Sequence, residues 1–369
     1  MNKFKNLLTS LLFLLATTLS FTACSSDDDN LIDDGTKIEL PSSRAFILNS
    51  GKMGNNNAGL AFYAPNGNAD FISNIFEDQN SKKLGDTGQS IIKEGGYIYV
   101  IVSGSKVLYK LNSAGVEVAS CTFSEEDGSP RYMTYKDNYL YVTLYSNQVV
   151  KIKANDLSKE AYLKVGSHPE EIVTINNNLY VANSGYHADY SHNAIDTISQ
   201  IDIETFKITK QIEVVTNPNQ LLVEDGNLYV LSWGDYAATP YSFQRVNIAD
   251  GSYQVKEIAT ATKVAKYNNT FYLVNSVTDW STYETTVSYA TYDSQKDELT
   301  NSSFLQDAPS ELMSTSIYML SVNPYNGDLY LGTSDYVSSG NIYRFDNTGN
   351  FDEKFDCGGL NPMNMIFFE

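Results

Sequence analysis

The stretch "VGSHPEEIVTINNNLYVANSG", residues 165–185, decides the fold. It reads as a strand introduced by Pro169, a turn of asparagines, and a second strand, "LYVAN", with apolar side chains at alternate positions. Period-two alternation rich in Val, Ile and Tyr marks half-buried strands, and Asn-Asn, Asn-Gly and Asp-Gly pairs supply tight hairpin turns. The unit recurs along the chain. Its copies are "RAFILNSG" from Arg44, "GGYIYVIVSG" from Gly95, "DNYLYVTLYS" from Asp137, "NNLYVANSG" from Asn177, "GNLYVLSWG" from Gly226, "NTFYLVNS" from Asn269 and "GDLYLGTS" from Gly327. The anchor aromatics Phe46, Tyr99, Tyr141, Tyr180, Tyr229, Tyr272 and Tyr330 recur every ~47 residues, the spacing of a four-stranded propeller blade.

Each copy is the second strand, B, of a blade. A first strand, A, precedes it, as in "SPRYMTYK", "NPNQLLVE" and "PSELMSTSIYMLSV", and strands C and D follow, as in "YSFQRVNI" and "SYQVKEIA". No long segment carries a helical period. The chain enters the repeat on a B strand, "AFILNS", and ends on an A strand, "NPMNMIFFE". Pairing these two completes one blade and leaves no open sheet edge. The expected fold is therefore all-β: a seven-bladed β-propeller of four-stranded blades over residues 44–369, its ring closed by pairing the C-terminal strand with the N-terminal one.

Residues 1–23 read differently. Lys3 and Lys5 precede the apolar run "LLTSLLFLLATTLSF", and small residues follow, the order of a secretory signal peptide. The run is too short and too interrupted for a stable membrane span. "FTAC" resembles a bacterial lipobox, which makes Cys24 the expected lipidation site. The tract "SSDDDNLIDDGT" is too polar to build a core, so residues 24–43 are expected to be a lipidated cysteine and a flexible acidic tether. The formal net charge of −19 disfavours nucleic acid and anionic lipid as partners. Cys121 and Cys357 fall two blades apart and are expected to be free thiols. No CxxC motif or ligand-spaced Cys/His cluster points to a metal, and no cofactor motif is present.

In an A-B-C-D blade, the D–A and B–C connections share one end of the disc. The B–C connections of blades two and three are minimal, whereas those of blades four, five and six are long: "NSGYHADYSHNAID", "SWGDYAATPY" and "NSVTDWSTYET". Those loops hold both tryptophans, Trp233 and Trp280, and two of the three histidines, His187 and His192; His168 lies in a D–A connection at the same end. Tyr186, Tyr190, Tyr236, Tyr241 and Tyr283 join them. Variable loops on a rigid scaffold are where binding residues concentrate, and Trp and Tyr dominate recognition hot spots. A ligand-binding face is expected there. No GxSxG, HExxH or P-loop is present, and the loop carboxylates Asp189, Asp235 and Asp279 have no paired base, so the chain carries no catalytic constellation.

The repeat "VGSHPEEIVTINNNLYVANSG" resembles that of YncE-like (YVTN-repeat) propellers over essentially residues 44–369. With the lipobox, the "SSDDD" tract and the aromatic loop face, the chain is most similar to the BtuG-like cobalamin-binding surface lipoproteins of Bacteroidetes. That resemblance implies a lipid-anchored outer-membrane protein exposed at the cell surface. It implies capture of cobalamin (vitamin B12) or other corrinoids and transfer to a TonB-dependent transporter, with membrane contact through the lipid anchor only. On that reading the aromatic faces cover the corrin periphery, while Asn183, Asn275, Gln220 and Arg131 reach its amides. Two alternatives stand beside it: a glycan-binding surface module, and a propeller enzyme such as a lactonase or lyase.

Overall fold

A computed structural model describes residues 35–38, 40–185, 195–236, 238–279 and 281–369. The leader and Cys24 lie outside the described residues. The described chain forms seven antiparallel sheets arranged as the blades of a propeller. The A strands are Gly88–Glu94, Pro130–Lys136, Pro169–Ile175, Pro218–Glu224, Lys263–Tyr267, Ile317–Val322 and Pro362–Phe368, in blades two to seven and then one. Blade one is the closing blade. Its A strand, Pro362–Phe368, pairs antiparallel with Arg44–Asn49, placing Ile366 opposite Phe46. The Ser50 amide donates to the Asn361 carbonyl at 2.8 Å, continuing the seam past the strand ends.

Six blades have four strands and blade one has three. In place of its D strand, Ile72 makes a two-way backbone bridge to Phe62, and a short helix, Ile75–Asn80, follows. The helix covers the exposed side of the blade with Ile75 and Phe76, both fully buried. Of residues 24–43, expected to be a lipidated cysteine and a flexible acidic tether, 35–38 and 40–43 are described. Ile38 and Leu40 pack on the first seam, and the Lys37 amide donates to Gln79 Oε1 at 2.9 Å. Among the described residues no helix is long and apolar enough to cross a membrane.

The core is divided into seven clusters, one in each seam between neighbouring blades. Each anchor aromatic packs forward onto the next blade: Tyr99 against Met133 and Leu140, Tyr180 against Leu221 and Leu228, Tyr229 against Phe271. The next side chain along each B strand turns to the preceding blade, as Ile47 does beside Tyr330. Alternation thus reflects two buried faces rather than one buried and one wet. Tyr272 alone among the anchors is half-buried, its ring edge-on to Phe304 at 5.0 Å.

Candidate functional site

The A strands line the axis, and their first residues are irregular. In six of the seven blades the A strand carries one extra residue relative to its B partner just after its first position: for example, Pro218 faces Ser232 while Gln220 faces Leu231. Such β-bulges twist a strand and re-aim its side chains. Blade six pairs without a bulge from Lys263 onward. Two places after the first residue of each bulged A strand a side chain lines a central cavity: Asn364, Ser90, Tyr132, Glu171, Gln220 and Met319, with Val264 taking that place in the unbulged strand of blade six. Gln89, Asn219, Lys263 and Tyr318, one position earlier, join them.

The cavity measures about 390 Å³ and opens at the end where the D–A and B–C connections lie. Trp233, Tyr241 and Tyr336 complete its wall. Lys263 Nζ sits 5.3 Å from the ring centre of Tyr318 and 6.0 Å from that of Trp233. No carboxylate lies within ion-pair distance of it among the described residues. Burial without a counter-charge pushes its amine down to about 8. Glu171 faces the same space. It accepts a hydrogen bond from the Leu221 amide at 3.1 Å, yet burial dominates and pushes its carboxyl up to about 7. The Trp233 indole N–H is buried and has no acceptor among the described residues. The hydroxyls of Tyr132, Tyr241 and Tyr318 are all shifted upward by burial.

Beside the cavity lies a closed polar network. Arg131 Nη2 and Nε both reach Glu170 Oε2 at 2.9 Å, and Nη1 donates to Gln89 Oε1 at 2.6 Å. Tyr145 donates to the other Glu170 oxygen, and its ring receives the Arg131 guanidinium at 4.5 Å. Burial lowers the Arg131 guanidinium, but Glu170 and the neighbouring phenols outweigh it and the net shift is upward.

The expected site residues divide accordingly. Trp233, Tyr241 and Gln220 line the cavity, and the Gln220 side chain donates to the Val264 carbonyl at 2.9 Å, tying blade five to blade six. Arg131 stands next to the cavity with its donors already committed to Glu170 and Gln89. Asn183 is fully buried; its Nδ2 donates to Thr197 and Ser199 inside its own blade, and its Oδ1 has no partner among the described residues. Asn275 lies in a separate, small cleft with Leu273 and Tyr289. His168 is buried, its Nδ1 2.7 Å from Ser167 Oγ and its ring edge-on to Tyr145 at 5.2 Å. Tyr236 and Tyr283 are exposed, Tyr236 edge-on to Tyr241. Tyr186, His187, Tyr190, His192 and Trp280 lie outside the described residues.

The third long loop is not a loop. Thr270–Asp279 and Glu284–Asp293 continue the B and C strands of blade six into a ten-rung hairpin. Sequence reasoning did not find Glu171, Lys263, Tyr318 or Asn219. Their signal is positional: Glu171, Asn219 and Tyr318 lie one or two places after the residue that opens an A strand, and Lys263 opens its own. Cys121 and Cys357 are free, with burial pushing both thiols up to about 11. Among the described residues no group of three or more His, Cys, Asp or Glu side chains is placed to hold a metal ion.

No family model matches the sequence, and no curated protein does. Solved structures do match. A chain of hydrazine synthase from Kuenenia stuttgartiensis superposes with a TM-score of 0.55 at 14% identity, over 69% of this chain and 74% of that one. BamB from Moraxella catarrhalis gives 0.50 at 11% identity, over 89% and 87%. U3-55K gives 0.51 at 10% identity, over 73% and 81%. Identities this low show a shared propeller fold and nothing of activity.

Proposed function

We propose that this propeller is a surface lipoprotein that captures a small-molecule nutrient at its axial mouth, with a corrinoid as ligand and a TonB-dependent transporter as recipient. The observation that carries capture is the cavity. It is concave, walled by aromatic rings and rimmed by side-chain amides and hydroxyls, as small-molecule sites generally are. At about 390 Å³ it is at the small end for such sites, so a corrinoid would rest across the mouth with one peripheral arm inserted. The corrinoid, the lipid anchor on Cys24 and the transporter rest on the sequence resemblance. The reading is one of binding.

Calorimetry with the purified protein tests it. Cyanocobalamin and cobinamide are expected to bind with micromolar affinity or better. Trp233→Ala combined with Tyr241→Ala is expected to weaken binding at least about tenfold, through loss of stacking area. Absence of heat and saturation with both corrinoids removes the ligand assignment. Aromatic walls beside Asn219, Gln89 and Ser276 equally suit a sugar ring, and signal on a glycan array without corrinoid binding would favour a glycan-binding module.

A further inference from the structure

We infer that the axial cavity recognises an anionic oxygen group, a carboxylate or a phosphate, on its ligand, with Lys263 as counter-ion and the Trp233 indole N–H as second donor. The inference deepens the capture reading and rests on the same cavity. Two donors line this space without acceptors among the described residues. The Lys263 ammonium is held between the rings of Tyr318 and Trp233, and no described carboxylate reaches it. The Trp233 N–H is buried and has no acceptor among the described residues. A half-buried cation without a counter-charge and a buried N–H each cost free energy until an acceptor arrives. One oxyanion in the cavity satisfies both. Arg131, the other cation near the axis, is not available for this, because Glu170 neutralises it.

The ionisable groups around Lys263 fix the pH dependence. Across the cavity stands Glu171, whose carboxyl stays largely neutral up to about pH 7. Tyr132, Tyr241 and Tyr318 have hydroxyls shifted upward and carry no charge in the working range, and Tyr336 completes the set of phenols. Below pH 7 the cavity is net positive. As pH rises through about 7, Glu171 ionises and repels an incoming anion. As it rises through about 8, Lys263 loses its charge. Anion affinity therefore falls in two steps from pH 6 to pH 9.

The probes are benzoate, phenyl phosphate and the neutral isostere benzamide, titrated into the purified protein at pH 6.5 with cyanocobalamin as a parallel arm. At least one anion is expected to bind about tenfold or more tightly than benzamide, the worth of one charge-assisted hydrogen bond, and the preferred anion separates carboxylate from phosphate. Lys263→Met is expected to reduce anion binding to the benzamide level, Lys263→Arg to retain most of it, and Trp233→Phe to weaken it several-fold. Glu171→Gln is expected to remove the lower-pH step. Should Lys263→Met not fold, the anion–amide comparison and the pH profile of the unaltered protein still decide. Equal binding of anion and amide, no anion binding at millimolar concentration, or full retention in a folded Lys263→Met protein overturns the inference. Cyanocobalamin binding without anion binding sinks it while leaving capture intact. Lys263-dependent anion binding without cyanocobalamin binding supports it and removes the corrinoid.

Discussion

An ammonium group set beside two aromatic rings, with no carboxylate in ion-pair reach among the described residues, lowers the stability of the protein that holds it, and Lys263 is such a group. Its amine titrates near 10.4 in an unfolded chain and at about 8 in the folded one. The unfolded state binds more protons between those values, so stability rises with pH across that window. The penalty is fully present below pH 8 and fades as pH approaches 10.5. Lys263→Met is accordingly expected to be more stable than the native chain at pH 7. The gain is at most ~3 kcal/mol, and less once water in the cavity screens the charge. Urea denaturation at pH 7 and pH 10.5 checks this, with the difference shrinking at the higher value. A variant that loses ligand while gaining stability marks a side chain retained for binding. Arg131 shows the opposite arrangement. The resemblance to cobalamin-binding lipoproteins suggests it as a contact to the ligand's amides. Its partner Glu170 comes from the next blade and Gln89 from the previous one, and neither proximity is visible before the ring closes.

Elements divide by how much of their geometry is local. The B strands are legible because both faces are buried in seams, which imposes a Tyr-Val-like alternation at fixed spacing. The A-strand bulges are not legible, since an extra residue leaves no compositional mark and appears only when the partner's register is counted. They decide the site nonetheless, by turning Glu171 and Gln220 toward the axis. The hairpin of blade six was open to a better reading. "SVTDWSTYETTV" looks like a polar loop, yet Val277, Thr278, Thr285, Thr286 and Val287 are β-branched residues suited to a strand. Thr278 and Thr285 share a hydrogen bond at 2.8 Å across the pair. The outer part of this hairpin has no flanking strand, because the D strand, Glu298–Thr300, reaches only Thr291–Asp293. Val277 and Tyr283 are 47% and 77% exposed. Replacing residues 277–286 with Asn-Gly is therefore expected to move the melting midpoint by no more than about 3 °C, as regions with few buried contacts contribute little to global stability. A thermal scan showing a fall of 10 °C would instead mean that the tip packs on the body of the disc.

At the scale of the whole molecule, stability depends on closure. Seven seams of similar composition hold seven sheets, and each sheet needs both neighbours to bury its two faces. Only one blade is assembled from the two ends of the chain. There Phe367 packs on Tyr330 at 5.2 Å and Phe368 on Phe46 at 5.4 Å, so the last strand seals the seams on both sides of blade one. Its backbone also occupies the inner edge of the strand Arg44–Asn49, an edge that would otherwise template aggregation. Loss of this strand therefore differs in kind from loss of surface contacts. Phe367, 5% exposed, is expected to cost about 3–5 kcal/mol when changed to Ala, the range for a buried aromatic. Val118, on an outer strand and 51% exposed, is expected to cost no more than about 0.5 kcal/mol. A chain ending at Leu360 removes the whole strand, opens two seams at once, and is expected to show no cooperative urea transition. If that truncated chain still unfolds in a single sharp step, six blades suffice for a stable ring, and closure through the two termini is dispensable.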